Sequence, residues 1–186
     1  MRELVGVVAA CSVAALSGCC CNCDGDGDAD TVTAATAAQQ AALLDRVKAL
    51  SGTWEMVDEK GVTQTASVFT VTSNGSAVRE VMFPGTQSEM TNMYTMDGAD
   101  LVVTHYCAVG NQPHMRAKAG ERGGQADRIA LKFDGVSNRT ALDQLYMGEM
   151  TLVFVDVDHI RQEWRAFTGN GALSDHSPAF ELTRKR

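Results

Sequence analysis

Ile160-Arg161-Gln162-Glu163-Trp164-Arg165 alternates side chains, with Ile160, Gln162 and Trp164 on one parity and Arg161, Glu163 and Arg165 on the other. A period of two is that of a β-strand with one dry and one wet face. Ile129, Leu131 and Phe133 alternate with Ala130, Lys132 and Asp134 in the same way. Working outward from these two stretches, strand-like segments lie near 53–58, 64–72, 76–83, 88–96, 100–107, 113–118, 127–134, 149–157, 159–167 and 178–184. Turn pieces such as Ser73-Asn74-Gly75, Asp97-Gly98 and Gly169-Asn170-Gly171 separate them. After Gly52 no helical pattern is long enough to cross over between parallel strands. The expected fold is therefore all-β, an antiparallel sheet that closes on itself or folds into a sandwich. Before Gly52, Leu43, Leu44, Val47 and Leu50 recur at helical spacing and predict one short amphipathic helix over about 36–50.

The start of the chain is of another kind. Arg2 precedes an apolar run from Leu4 to Leu16 and then Leu16-Ser17-Gly18-Cys19. The run is shorter than the roughly 20 residues a membrane-crossing helix needs, and reads as the core of a signal peptide. Leu-Ser-Gly-Cys resembles a bacterial lipobox. That resemblance implies cleavage before Cys19, a diacylglycerol thioether and an N-acyl chain on Cys19, and hence anchoring to a membrane without crossing it. Position 20 is Cys rather than Asp, which by resemblance to Gram-negative lipoproteins implies the outer membrane, facing the periplasm. The expected organisation is a signal peptide over 1–18, a lipidated Cys/Asp/Ala-rich tether over 19–40 and a barrel domain over 41–186.

The formal charge is −7, and Asp24, Asp26, Asp28 and Asp30 of the tether carry much of it. No clustered basic face is available, so nucleic acid is not an expected partner. Of the six cysteines, Cys11 lies in the signal and Cys19, Cys20, Cys21 and Cys23 crowd the tether. Cys107 alone belongs to the folded domain, so no disulfide framework is expected. The Asp-Gly alternation over 24–28 fails as a calcium loop, because residues 29 and 35 are Ala where an EF-hand needs Gly and Glu.

A short helix, then Gly52-Thr53-Trp54 opening the first strand, then a run of hairpins is similar to the lipocalin-like (calycin) barrels. The resemblance implies an up-and-down barrel of about 8–10 strands, with the Trp54 indole packed across its closed end and a late arginine stacked on it. Arg161, Arg165 and Arg184 are the candidates. Pro84-Gly85, Glu89-Met90, Leu101-Val102-Val103-Thr104-His105-Tyr106-Cys107 and Gly110-Asn111-Gln112-Pro113-His114-Met115 further resemble a family of bacterial secreted or lipoprotein domains of lipocalin-like type. In that family a Thr-His-Tyr-Cys strand is followed closely by Asn-Gln-Pro. This second resemblance, over about 45–184, implies a fold and a location but no activity.

The segment with the most chemistry is the same hairpin. His105 and Cys107, two apart, are expected on one face with Leu101 and Val103, and Thr104 and Tyr106 on the other. The turn at Asn111-Gln112-Pro113 starts a strand with His114 and Met115. Three readings stand side by side. His105, Cys107 and His114 or Met115 are N and S donors suited to a soft metal or haem iron. Cys107 beside His105, with Asn111 or Gln112 as oxyanion donor, is a reactive-thiol arrangement. His105 and Cys107 as core residues with satisfied hydrogen bonds are the third.

No Gly-x-Ser-x-Gly elbow or phosphate loop is present, and no catalytic residue is assigned. Nine methionines, among them Met82, Met90, Met93, Met96, Met115, Met147 and Met150, suit irregular packing or an adaptable apolar cavity. The leading expectation is a lipid-anchored barrel that binds a small apolar or amphipathic molecule without catalysis, through Thr104, His105, Tyr106, Cys107, Asn111, Gln112, His114 and Met115. The alternatives are a metal- or haem-dependent site and a structural envelope protein with a filled barrel. The cofactor is unassigned.

Overall fold

The computed structural model describes residues 31–120, 127–169 and 171–186. Residues 32–186 form one compact unit. The signal peptide, Cys19 and most of the expected tether lie outside the described residues. Among the described residues no helix is long and apolar enough to cross a membrane.

Among the described residues eleven strands follow two short α-helices, α1 (Ala37–Ala42) and α2 (Leu44–Lys48). The strands are β1 (Gly52–Val57), β2 (Thr63–Thr72), β3 (Ala77–Met82), β4 (Met90–Asp97), β5 (Asp100–Tyr106), β6 (Gln112–Ala117), β7 (Arg128–Ser137), β8 (Tyr146–Phe154), β9 (His159–Thr168), β10 (Ala172–Leu173) and β11 (Ala179–Arg184). Each pairs antiparallel with its sequence neighbour from β1 to β9, and β11 bridges β9 to β1 and closes the barrel. The two-residue β10 folds back on the end of β9. It is a strand beyond the ten expected, formed where the Gly169-to-Gly171 turn reverses the chain. The fold is an up-and-down barrel of ten main strands, lipocalin-like in plan.

The single expected helix is broken. Thr36 caps α1 with a reciprocal box to Gln39, but α1 holds only Ala and Gln and buries nothing. Leu43 leaves the helical region at φ −124°, ψ −86°. That break turns α2 so that Leu44 and Val47, with Leu50 just beyond, sink into the core, against β2, β3 and β4. The apolar stripe decides the geometry here, and the weak α1 follows it.

β8 starts and stops earlier than expected. Asp156 draws the chain into a turn by accepting the Asp158 amide at 2.8 Å and the His159 ring Nδ1 at 2.8 Å, so 155–158 cannot extend the strand. Inside the barrel, Trp54, Phe69, Met82, Tyr94, Leu101, Met115, Leu131, Met150, Leu152, Ile160 and Leu182 are each under 2% exposed. The interior is filled by side chains, as in small barrels generally.

Candidate functional site

Sheet register builds a polar belt inside this apolar core. Glu80 on β3 stands opposite Asn92 on β4, and Asn92 stands opposite His105 on β5. All three share the inward parity of Met82, Tyr94 and Val103 and are at most 1% exposed. Ser67 of β2 and Gln162 of β9 complete the group, both buried.

Four donors converge on the Glu80 carboxylate. Ser67 Oγ donates to Oε1 at 2.6 Å, Gln162 Nε2 to Oε1 at 2.6 Å, Asn92 Nδ2 to Oε2 at 2.8 Å and Tyr94 OH to Oε2 at 2.7 Å. This set suits the acceptor-only form of the side chain. Among the described residues no lysine or arginine pairs with Glu80. The charge is held by neutral dipoles alone. Burial, then the Glu80 charge, pushes the Tyr94 hydroxyl well above its usual 10, so Tyr94 remains a donor.

The belt also fixes the His105 tautomer. Asn92 turns its NH2 to Glu80, which leaves Asn92 Oδ1 facing His105 Nδ1 at 2.7 Å. Nδ1 must carry the proton, and Nε2 is left as a bare acceptor. Burial pushes the His105 pKa down from 6.5 to about 4, which keeps the ring neutral near pH 7. Its ring lies 4.9 Å from that of Trp164, tilted by 50°. Among the described residues three buried atoms of the group have no hydrogen-bond partner: His105 Nε2, Gln162 Oε1 and Trp164 Nε1. Such atoms are rare in native interiors and call for a cause.

The hairpin singled out by sequence is split by the barrel wall. His105 and Met115 face inward, but Thr104 pairs in register with His114, which puts His114 outside. There His114 Nδ1 meets Thr104 Oγ1 at 3.2 Å and its Nε2 meets Ser137 Oγ at 2.9 Å. Tyr106 is exposed at 49%. Gln112 bonds back to the Gly110 carbonyl, while buried Asn111 donates to the Leu145 carbonyl at 2.8 Å.

His105, Cys107 and His114 therefore do not converge. Among the described residues no three His, Cys, Asp or Glu side chains gather as a metal set. Cys107 is a half-buried free thiol in the turn after β5. Burial pushes its pKa up, away from the thiolate that a nucleophile needs.

A second feature lies where the barrel closes. β1 and β11 share only the register pairs Trp54 with Arg184 and Glu55 with Thr183, and beyond them the two strands part. A cleft of about 530 Å³ opens there, lined by Glu55, Met56, Val57, Thr63, Ala179, Phe180, Glu181 and Thr183. Met56 and Phe180 pack on the core. The Phe180 ring meets Phe83 edge-on at 5.3 Å. Phe83 has φ +49°, a left-handed conformation costly for a bulky residue.

At the other end of the seam Arg184 takes the place that Arg161 and Arg165 also competed for. Its guanidinium lies 4.4 Å from the centre of the Trp54 ring and donates to the carbonyls of Ser51 at 2.9 Å and Ala49 at 3.0 Å. Trp54 Nε1 donates to the Leu50 carbonyl at 2.8 Å. At Gly52, φ is +127° and an added Cβ would sit 3.5 Å from Arg184 Nη1, so Gly suits both the backbone and the arginine.

Closed meander, short leading helices and the Trp-Arg pair define the class as a lipocalin-like β-barrel. No protein-family model matches the chain, and a search of curated proteins returns no match.

Proposed function

We propose that this protein is a bacterial lipoprotein, anchored through Cys19 to the outer membrane and facing the periplasm, whose barrel binds a small amphipathic molecule without catalysing a reaction. The observation that carries the binding half is the cleft between β1 and β11, where Met56, Val57 and Phe180 give apolar contact and Thr63 and Thr183 give hydroxyls at the margin. A mostly apolar concavity with a few polar handles is the usual form of a small-molecule site. Nile red should bind saturably to the purified domain with a rise in fluorescence. Val57→Arg should reduce its affinity about tenfold or more, because a bulky, hydrated guanidinium would replace apolar lining where the ligand's tail would lie. Val57 is 63% exposed, so its replacement leaves the core untouched. The filled interior favours the second reading, a structural envelope protein, and failure of Nile red to bind the wild type would select it.

The anchoring half rests on Leu16-Ser17-Gly18-Cys19. Cys19→Ala should abolish metabolic labelling with palmitate and move the protein from the membrane to the soluble fraction, or leave it unprocessed. Undiminished labelling of that variant would refute Cys19 as the lipid site, and a double replacement with Cys20 would show whether its neighbour takes over.

A further inference from the structure

Two features meet across one pair of strands. Phe180, which lines the cleft, is the register partner of Gln162, and Gln162 is the residue that joins β9 to Glu80. Phe180 thus stands beside a member of the polar belt. The belt behind it is unbalanced. It holds one carboxylate with no cationic partner among the described residues and two unpartnered acceptors, His105 Nε2 and Gln162 Oε1, against one unpartnered donor, Trp164 Nε1. At the cleft margin the two carboxylates are already paired, Glu55 with Lys185 at 2.9 Å and Glu181 with Arg161 at 3.6 Å, so the unbalanced charge is that of the belt.

Resting on the cleft reading above, we infer that the ligand is a primary amine with an apolar tail, and that its ammonium head passes Phe180 to reach His105 Nε2 and Gln162 Oε1 beside Glu80 while the tail stays in the cleft. An ammonium supplies three donors and a positive charge and accepts nothing, which complements two bare acceptors and an unpaired carboxylate. A hydroxyl head supplies one donor and no charge. A carboxylate head adds like charge to a desolvated site and is excluded. Passage requires the Phe180 ring to rotate off Phe83. The positive φ at Phe83 fixes where that ring waits, because the backbone amide of Phe83 is held to the Ala66 carbonyl at 2.8 Å.

The test is calorimetric titration of the wild-type domain at pH 7 with octylamine, octanol and octanoate, which share one tail. Octylamine should bind about tenfold or more tighter than octanol, in line with charge-assisted over neutral hydrogen bonds, and octanoate weakest. Glu80→Gln should remove the preference for the amine, whereas Glu55→Gln and Glu181→Gln should keep it. Where Glu80→Gln does not fold, the imidazole 15N signal of His105 in the wild type decides, since Nε2 should shift on adding octylamine and not on adding octanol. Equal binding of the three compounds, an unmoved His105 signal, or loss of the preference in the margin variants would overturn the inference and leave the cleft reading standing. Failure of all three compounds and of Nile red to bind would instead remove the cleft reading itself.

Discussion

Glu80→Ala should cost the barrel about 4 kcal/mol, enough to remove much of the stability of an ordinary domain. Four donors lose their acceptor at once, and Ser67, Asn92 and Gln162 are too deeply buried to turn to solvent. Each donor left unpaired costs about 1–3 kcal/mol, with some relief from repacking. The change also leaves a void the size of one methylene and a carboxylate. Glu80→Gln should cost less, about 2 kcal/mol, because one carboxylate oxygen is replaced by an NH2 that meets donors instead of acceptors. Urea unfolding followed by the fluorescence of Trp54 and Trp164 measures both. A loss below 1 kcal/mol for Glu80→Ala would mean that the belt is not the keystone of the interior.

Acid should destabilise the barrel through His105. In the unfolded chain the ring titrates near 6.5, and in the barrel burial holds it at about 4. Above pH 6.5 the ring is neutral in both states and its contribution is fully present. As the pH falls through 6.5 toward 4 the unfolded state binds the extra proton, so stability drops, by about 3 kcal/mol in all. Below about 4 this group adds no further loss. The charged and titratable neighbours are Glu80, which reaches the ring through Asn92, and Tyr94, which stays protonated throughout. His105→Gln keeps a donor for Asn92 Oδ1 but does not titrate, so its urea midpoint should fall less steeply from pH 7 to pH 4. Parallel slopes for the two proteins would contradict the buried, neutral imidazole.

The strands were legible because each carries its own record of which side faces water. Ile160, Gln162 and Trp164 do line the interior, and Thr104 and Tyr106 do face outward. That record is local and says nothing of register. The metal reading puts either His114 or Met115 beside His105, and the turn at 107–110, which sets Thr104 opposite His114 and Val103 opposite Met115, sends Met115 inward and His114 outward, since one residue of slip decides which side of the wall a side chain takes.

The polar belt went unseen for a related reason. Glu80 sits on the parity of Val78 and Met82, and Asn92 on that of Met90 and Tyr94, so a polar residue on a dry face was the available signal. Its partners were not legible, because Gln162 reaches Glu80 from 82 residues away and only closure of the barrel brings them together. The choice of Arg184 over Arg161 and Arg165 depends on that same closure. The break at Leu43 is tertiary in origin, because α2 turns to bury its own stripe while α1 has nothing to bury.

The bond from Arg184 to the Ser51 carbonyl spans 133 residues. In the chain β1 comes long before the strand that closes against it, and until β11 joins, the sheet has two raw edges, β1 and β9, open to any passing strand. The folding reaction is thus committed to a late, long-range step, which makes it slow for the size of the domain. The vulnerable species is an open sheet short of β11. Its fate depends on whether β11 or a neighbouring molecule reaches those edges first.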